Sequence, residues 1–220
     1  MTSAPVPPQL RLPLTRDVPA WADDLVISDS NRAAAARLAD WPRAPGDILA
    51  LHGPAGCGKS RLAERWAERV SAFPLHGAEA AVADPLELEG RAILLDRAQD
   101  ADDETLFHLF NLTQSGGGAL LLVSRAAPTQ WTVDLPDLRS RLDATPTIGV
   151  EAPDDAVLSA MLIARFAERS IQPGAGVVDY LVRRIDRSAA AAEAVVERLD
   201  ALHRPVTRAL ARAVIEPDQS

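Results

Sequence analysis

Gly53-Pro54-Ala55-Gly56-Cys57-Gly58-Lys59-Ser60 decides how the rest of the chain is read, because it matches the phosphate-loop pattern G-x-x-x-x-G-K-[ST] at every fixed position. Before it, Asp47-Ile48-Leu49-Ala50-Leu51-His52 reads as a short buried strand. After it, residues 61–70 have helical periodicity. Strand, loop and helix in that order are the context the motif requires. Its glycines let successive backbone N–H groups turn toward phosphate oxygens, and the helix beginning at the loop adds the positive end of its dipole. Lys59 is placed to reach the β- and γ-phosphates, Ser60 to ligate Mg²⁺, and Arg61, opening the helix, completes the nucleotide-binding set.

Composition strengthens this reading. Among 23 basic residues Lys59 is the only lysine. Every other cation is arginine, so the compact ammonium is kept at the one position where a planar guanidinium does not substitute for it.

The chain has 220 residues, 47% of them hydrophobic, enough for a real core in one domain or a domain with a small appendage. With 31 acidic residues the net charge is −8. That argues against a broad basic face on DNA and for a partner making any nucleic-acid contact. A single cysteine, Cys57, excludes an intrachain disulfide. It is either a thiol at a helix N-terminus or a small residue filling a variable loop position, and the second reading is preferred. No apolar run suits a bilayer or a signal sequence, so the expectation is a cytoplasmic protein without membrane contact.

In chain order, Gln9-Leu10-Arg11-Leu12-Pro13-Leu14 puts three leucines on one face of an extended segment. It either pairs with the body of the protein or docks in another protein's groove. Ser28-Asp29-Ser30-Asn31 offers several N-caps for an alanine-rich helix over residues 32–40. A short strand is read at residues 72–76 and a turn of helix at 84–88. Ala92-Ile93-Leu94-Leu95-Asp96 is an apolar strand ending in a carboxylate, the Walker B pattern, which places Asp96 beside Ser60 as a second Mg²⁺ residue. A helix over residues 102–114 precedes the buried strand Ala119-Leu120-Leu121-Leu122-Val123, followed by Ser124 and Arg125. A polar side chain there serves as a γ-phosphate sensor, for which Ser124 is the candidate, or simply ends the strand. Arg139 and Arg141 follow in Leu135-Pro136-Asp137-Leu138-Arg139-Ser140-Arg141-Leu142. Beyond Pro153 there is no strand signal, and helices are expected at 154–168, 176–187, 188–202 and 206–215. The fold class is thus α/β, a phosphate-loop parallel-sheet domain with a small all-helical appendage. The division is a tail over 1–20, a nucleotide-binding domain over 21–152 and a helical lid over 153–216.

Phosphate loop, Walker B strand, polar strand end, arginine segment and helical lid, in this order, resemble the AAA+ proteins. Ser28-Asp29-Ser30-Asn31-Arg32 resembles the opening helix of the bacterial replication initiators of the DnaA family. Pro136-Asp137-Leu138-Arg139-Ser140-Arg141-Leu142-Asp143 resembles the arginine-finger segment of those initiators and of their shorter relatives, the Hda family. Gln9, Leu10, Leu12, Pro13 and Leu14 resemble the peptide by which Hda proteins bind the sliding clamp of DNA polymerase. The resemblance implies a regulator that binds ADP or ATP with Mg²⁺, sits on the DNA-loaded clamp and supplies Arg141 in trans to stimulate ATP hydrolysis by DnaA, restraining initiation. The alternative is a self-contained AAA+ ATPase that remodels or loads a replication or repair assembly.

The chain also departs from the pattern. No helix-turn-helix segment follows the last helix, so direct sequence-specific DNA binding is not expected. Arg97 stands where AAA+ ATPases carry a second acidic residue, which predicts slow self-hydrolysis. In the lid, Ala190 falls at the sensor-arginine position, leaving Arg187 as a substitute. The sequence leaves room for a homodimer.

Overall fold

A computed structural model describes residues 25–216; the expected clamp peptide, Gln9–Leu14, lies outside them. Five strands form one sheet: β1 (Asp47–His52), β2 (Phe73–His76), β3 (Ala92–Asp96), β4 (Ala119–Ser124) and β5 (Thr147–Gly149). They run in the order β2-β3-β4-β1-β5, and every neighbouring pair is parallel. Alternation along the strands sorts their side chains to two faces. Leu49, Leu51, Leu121 and Val123 pack under α1 (Arg32–Ala39) and α2 (Lys59–Val70). Ala50, Ile93, Leu95, Leu120 and Leu122 pack under α4 (Asp103–Gly116) and α5 (Pro136–Ala144). Between them a single helical turn, α3 (Pro85–Leu88), forms where Asp84 accepts a hydrogen bond from the Leu86 N–H.

A sheet covered on both faces explains why the inner strands read as continuous apolar runs. The fifth strand escapes such a reading: it is a three-residue edge with one apolar member, Ile148, held by pairing of Thr147, Ile148 and Gly149 with Ala50, Leu51 and His52.

The helix at Arg32 begins where expected, but its N-terminus is not capped as expected. Asn31 occupies the N-cap position without a side-chain capping bond. Its amide instead accepts from the Ser28 N–H at 3.0 Å and donates to Val26 O at 2.9 Å, folding the preceding loop. α1 is joined to α2 by Trp41 and Trp66, whose ring centroids lie 5.0 Å apart; the Trp66 indole donates to Trp41 O at 3.0 Å.

Four helices follow the sheet: α6 (Asp155–Glu168), α7 (Val177–Val182), α8 (Ala189–Asp200) and α9 (Arg208–Ile215). They enclose a core of their own, with Leu158, Leu162, Phe166, Leu181 and Leu199 at its centre. α7 is shorter than the expected 176–187. Ser188 ends the connection by accepting the Ala191 N–H as the cap of α8. Before it, Arg187 is pulled back to α6, donating to Pro153 O at 3.2 Å and to Asp155 Oδ1 at 2.6 Å. Among the described residues no helix is long and apolar enough to cross a membrane.

Candidate functional site

Parallel register brings the chemistry to one edge of the sheet. His52 pairs with Ser124 across β1 and β4, and His76 with Asp96 across β2 and β3. The phosphate loop, Ser124 and Asp96 therefore emerge side by side at the C-terminal ends of β1, β4 and β3, the place where open α/β sheets hold ligands.

The loop's conformation demands glycine at Gly53, Gly56 and Gly58, the last with φ +93°. At Gly53 a Cβ would come within 2.2 Å of Val150 O. Gly56 has φ +71° and carries the bundle directly: its carbonyl accepts the Ala189 N–H at 3.0 Å, and a Cβ would lie 2.8 Å from that nitrogen. α2 begins at Lys59 itself, so its free N–H groups face the loop. Cys57 is 2% exposed and belongs to the core beneath α1 and α2, which makes it a packing residue. Lys59 is also buried; its ammonium donates to Pro54 O at 2.7 Å and lies 3.6 Å from Cys57 Sγ. Beside it, burial and the Lys59 charge push the His52 imidazole below its usual pKa.

Two cavities flank Lys59. The larger, about 510 Å³, lies between the loop at Leu25 and Val26, the residues Cys57 to Arg61, and Met161 and Arg165 of α6. The smaller, about 210 Å³, is lined by Lys59, Ser60, Asp96, Arg97, Ser124 and Arg125. The Ser60 hydroxyl lies 3.4 Å from Asp96 Oδ2. Two hard oxygen donors at that separation fit a shared Mg²⁺. The other Asp96 oxygen accepts the Arg97 N–H at 2.8 Å, and the Arg97 guanidinium pairs with Asp100 at 2.8 Å. Ser124, the expected sensor, is only 3% exposed, and its hydroxyl donates to Ala126 O at 2.7 Å.

Sequence reasoning placed Gly53–Ser60, Arg61, Asp96 and Ser124 together; the structure sets Ala55 to Arg61, Asp96 and Ser124 around these two cavities, while Gly53 and Pro54 line a separate one at the ends of β1 and β5. It missed Val26, Met161 and Arg165, which reach the larger cavity through tertiary packing that no local pattern encodes.

Arg141 lines neither cavity. It projects from α5 onto α4: its guanidinium donates to Asn111 Oδ1 at 2.9 Å, lies 4.8 Å from the Phe107 ring centre and is 3.8 Å from Asp137. Its neighbour Arg139 is a structural clamp, donating to Trp131 O and Pro128 O and pairing with Asp143 at 2.8 Å. Arg187, held by Pro153 and Asp155, lines neither cavity; the bundle arginine that borders the larger one is Arg165 of α6.

No family model matches the chain. It is 34% identical over 119 residues to the chromosomal replication initiator protein DnaA of Thermomicrobium roseum, a match spanning 51% of this chain and 25% of that protein. Among solved structures it is similar to domain III of the Thermotoga maritima replication initiation protein DnaA, with a TM-score of 0.69 at 16% identity over 90% of this chain and 97% of that one. It is also similar to AMPPCP-bound DnaA from Aquifex aeolicus, with a TM-score of 0.62 at 15% identity over 81% and 64% of the two chains. A five-stranded parallel sheet in this order, with four helices after it, is the AAA+ fold of DnaA domain III.

Proposed function

We propose that this chain is a DnaA-related AAA+ regulator of the Hda type, which binds an adenine nucleotide, docks on the sliding clamp through Gln9–Leu14 and stimulates ATP hydrolysis by DnaA. The carrying observation is an asymmetry. A complete phosphate loop is paired with Arg97 where a water-activating carboxylate would stand, while Arg141 lies away from the chain's own loop on α5. Such a protein holds nucleotide without turning it over quickly and has an arginine to offer elsewhere.

In this reading the backbone of residues 53–60 and Lys59 bind the phosphates, and Ser60 and Asp96 hold Mg²⁺, which shields the phosphate charge. Helices α6–α9 close over the nucleotide. Arg141 enters the initiator's ATP site, where a guanidinium neutralises charge developing on the transferring phosphoryl group; such contacts are worth about 10³–10⁵ in rate in GTPase systems. The clamp raises the local concentration of the two partners.

The test is ATP hydrolysis by the initiator from the same organism, with clamp loaded on DNA, with and without this chain. A rise that needs clamp, chain and Arg141 together supports the reading. Arg141→Ala is expected to abolish the rise while clamp binding persists, and Arg141→Lys, which keeps the charge without the planar fork, to restore little of it. Stimulation retained by Arg141→Ala overturns the finger assignment. Steady turnover by the isolated chain would favour the self-contained ATPase instead.

A further inference from the structure

We propose that the solvent face shared by α7 and α9 binds the phosphate backbone of duplex DNA without regard to sequence; this goes beyond the function proposed above and rests on neither its nucleotide site nor its clamp peptide. Three arginines gather there on one tyrosine and one carboxylate. The guanidinium carbons of Arg184 and Arg208 lie 4.0 and 5.6 Å from the centre of the Tyr180 ring, so both charges sit against a single aromatic side chain. Glu216 accepts from the Tyr180 hydroxyl at 3.1 Å, from Arg184 Nε at 3.4 Å and from Arg212 Nε at 3.1 Å. Arg208 and Arg212 stand one turn apart on α9 and therefore on one face of it. Beside them Arg183 and Arg204 are exposed and have no hydrogen bond or ion pair with any described residue; Asp179, exposed on α7, pairs with none of the five.

The internal contacts leave the recognition edges of these arginines open. Arg184 and Arg212 meet Glu216 through Nε, and their terminal nitrogens have no hydrogen-bond partner among the described residues. Arg208 touches only the ring. A phosphodiester oxygen pair is the acceptor that the planar edge of a guanidinium fits. Net charge conceals this patch: the chain carries −8, yet from Arg204 to Glu216 three arginines stand against one carboxylate. The balance of the whole chain weighs against a broad basic face and leaves room for a narrow one.

The surroundings of the patch choose among polyanions. Tyr180 is only 5% exposed and lies beneath Arg184, so the face has no aromatic platform on which unpaired bases could stack. The large apolar side chains exposed in the bundle are Ile163 and Leu202, neither of them on α7 or α9, so nothing there enters a bilayer or forms the apolar centre of a protein interface. What the face does present is separated cations on a rigid pair of helices. A duplex backbone, with its regular row of phosphates, is held by such contacts alone.

The experiment measures binding of the full chain to a fluorescein-labelled duplex of about 20 base pairs by anisotropy over a salt series, with no clamp, initiator or nucleotide present. The unaltered protein is expected to bind unrelated sequences alike, with a Kd of about 10⁻⁴–10⁻⁶ M near physiological salt and more tightly as salt falls. Arg208→Glu should weaken binding roughly tenfold or more and lower the salt slope by about one, as loss of a phosphate contact does. Arg208→Gln should fall between. Arg65→Glu makes the same charge change at an exposed position of α2 and should cost less than about threefold. Glu216→Gln removes the counter-charge of Arg184 and Arg212 and should tighten binding about threefold or more. Circular dichroism establishes that each variant is folded. No binding at low salt, unchanged affinity in both Arg208 variants, or equal losses in Arg208→Glu and Arg65→Glu overturns the proposal. Tighter binding of the matching single strand, of poly-glutamate or of phosphatidylserine vesicles than of the duplex gives the patch to that ligand and overturns it too. Stimulation of the initiator is read in a separate assay, so either proposal can fail while the other stands.

Discussion

The sheet edge and the helical bundle use their cations in opposite ways. In the bundle most of the paired arginines tie one segment to another: Arg165 and Arg169 to Glu193 at 3.7 and 3.5 Å, Arg187 to Asp155 at 2.6 Å, and Arg184 to Glu216 at 3.4 Å, while Arg212 pairs with Glu216 at 3.1 Å at the end of its own helix. Arg198 donates to Val214 O. Arg165 borders the larger cavity, yet hydrogen bonding to Glu168 raises its pKa and binds it to its own helix. At the sheet edge, by contrast, Arg125 has no hydrogen bond or ion pair with any described residue. The bundle thus meets the cleft with apolar surface at Met161 and with the paired charges of Arg165 and Glu168, while Lys59, at the head of α2, is the body's buried charge there. Each exposed pair in the bundle contributes only about 0–1 kcal/mol, so the bundle's order rests mainly on its core.

That division is broken most forcefully by emptying the bundle's core. Leu162 is fully buried, and Leu162→Ala should cost about 2–5 kcal/mol. No residue of this core belongs to either cluster against the sheet. Among the described residues the tryptophans, Trp41, Trp66 and Trp131, all belong to the body, so their emission follows it whereas circular dichroism follows both. In Leu162→Ala the helical signal is expected to fall at lower urea than the tryptophan signal. Coincident transitions would mean that body and bundle unfold as one unit.

A smaller effect sharpens the comparison at the contact between the two regions. Gly56→Ala forces a side chain into a left-handed backbone 2.8 Å from the Ala189 nitrogen. The strain is worth about 1–2 kcal/mol, equivalent to roughly 2–4 °C per kcal/mol for a chain of this size. Because the strain falls on the contact, exchange of the Ala189 amide should quicken more than that of amides inside β1. Unchanged Ala189 exchange would show that the loop, not the contact, absorbs the substitution.

What could be read from the chain was what local order encodes. Strand, glycine loop, Lys59 and helix are contiguous, and Asp96 is marked by the apolar run before it, so the phosphate edge was legible before any coordinates. β5 was not, because an edge strand with only Ile148 apolar carries no pattern; its partners are set by β1. α7 was read too long since the pull of Pro153 and Asp155 on Arg187 is a tertiary effect. The two arginines of α5 look equivalent in sequence. Only the carbonyls of Pro128 and Trp131, brought to Arg139 by folding, separate a clamp from a finger candidate. The same holds for Ser124 and Arg125, neighbours whose difference is that one hydroxyl found Ala126 O and one guanidinium has no partner among the described residues.

The smallest effect lies at the joint between body and bundle and is read through pH. Asp154 caps α6 by accepting from the Ala156 and Val157 N–H groups at 3.1 and 3.0 Å. Hydrogen bonding from the Ser28 hydroxyl, ahead of α1, and from the Val157 N–H holds its carboxyl below the usual range, so one side chain ties the bundle to the body. A carboxyl whose folded pKa is depressed binds fewer protons folded than unfolded. Its contribution is therefore complete above the unfolded value of 3.8 and disappears as pH falls through the folded one. Asp154→Ala should cost about 1 kcal/mol at neutral pH, and its urea midpoint should converge on that of the unaltered protein below about pH 3.8. His52 sets a different window: its depressed pKa means that stability is lost as pH falls through 6.5, and the loss is common to both proteins. The difference between them isolates Asp154. A gap that stays constant down to pH 3 would assign the cost to packing at the α6 terminus rather than to the carboxylate that joins the two regions.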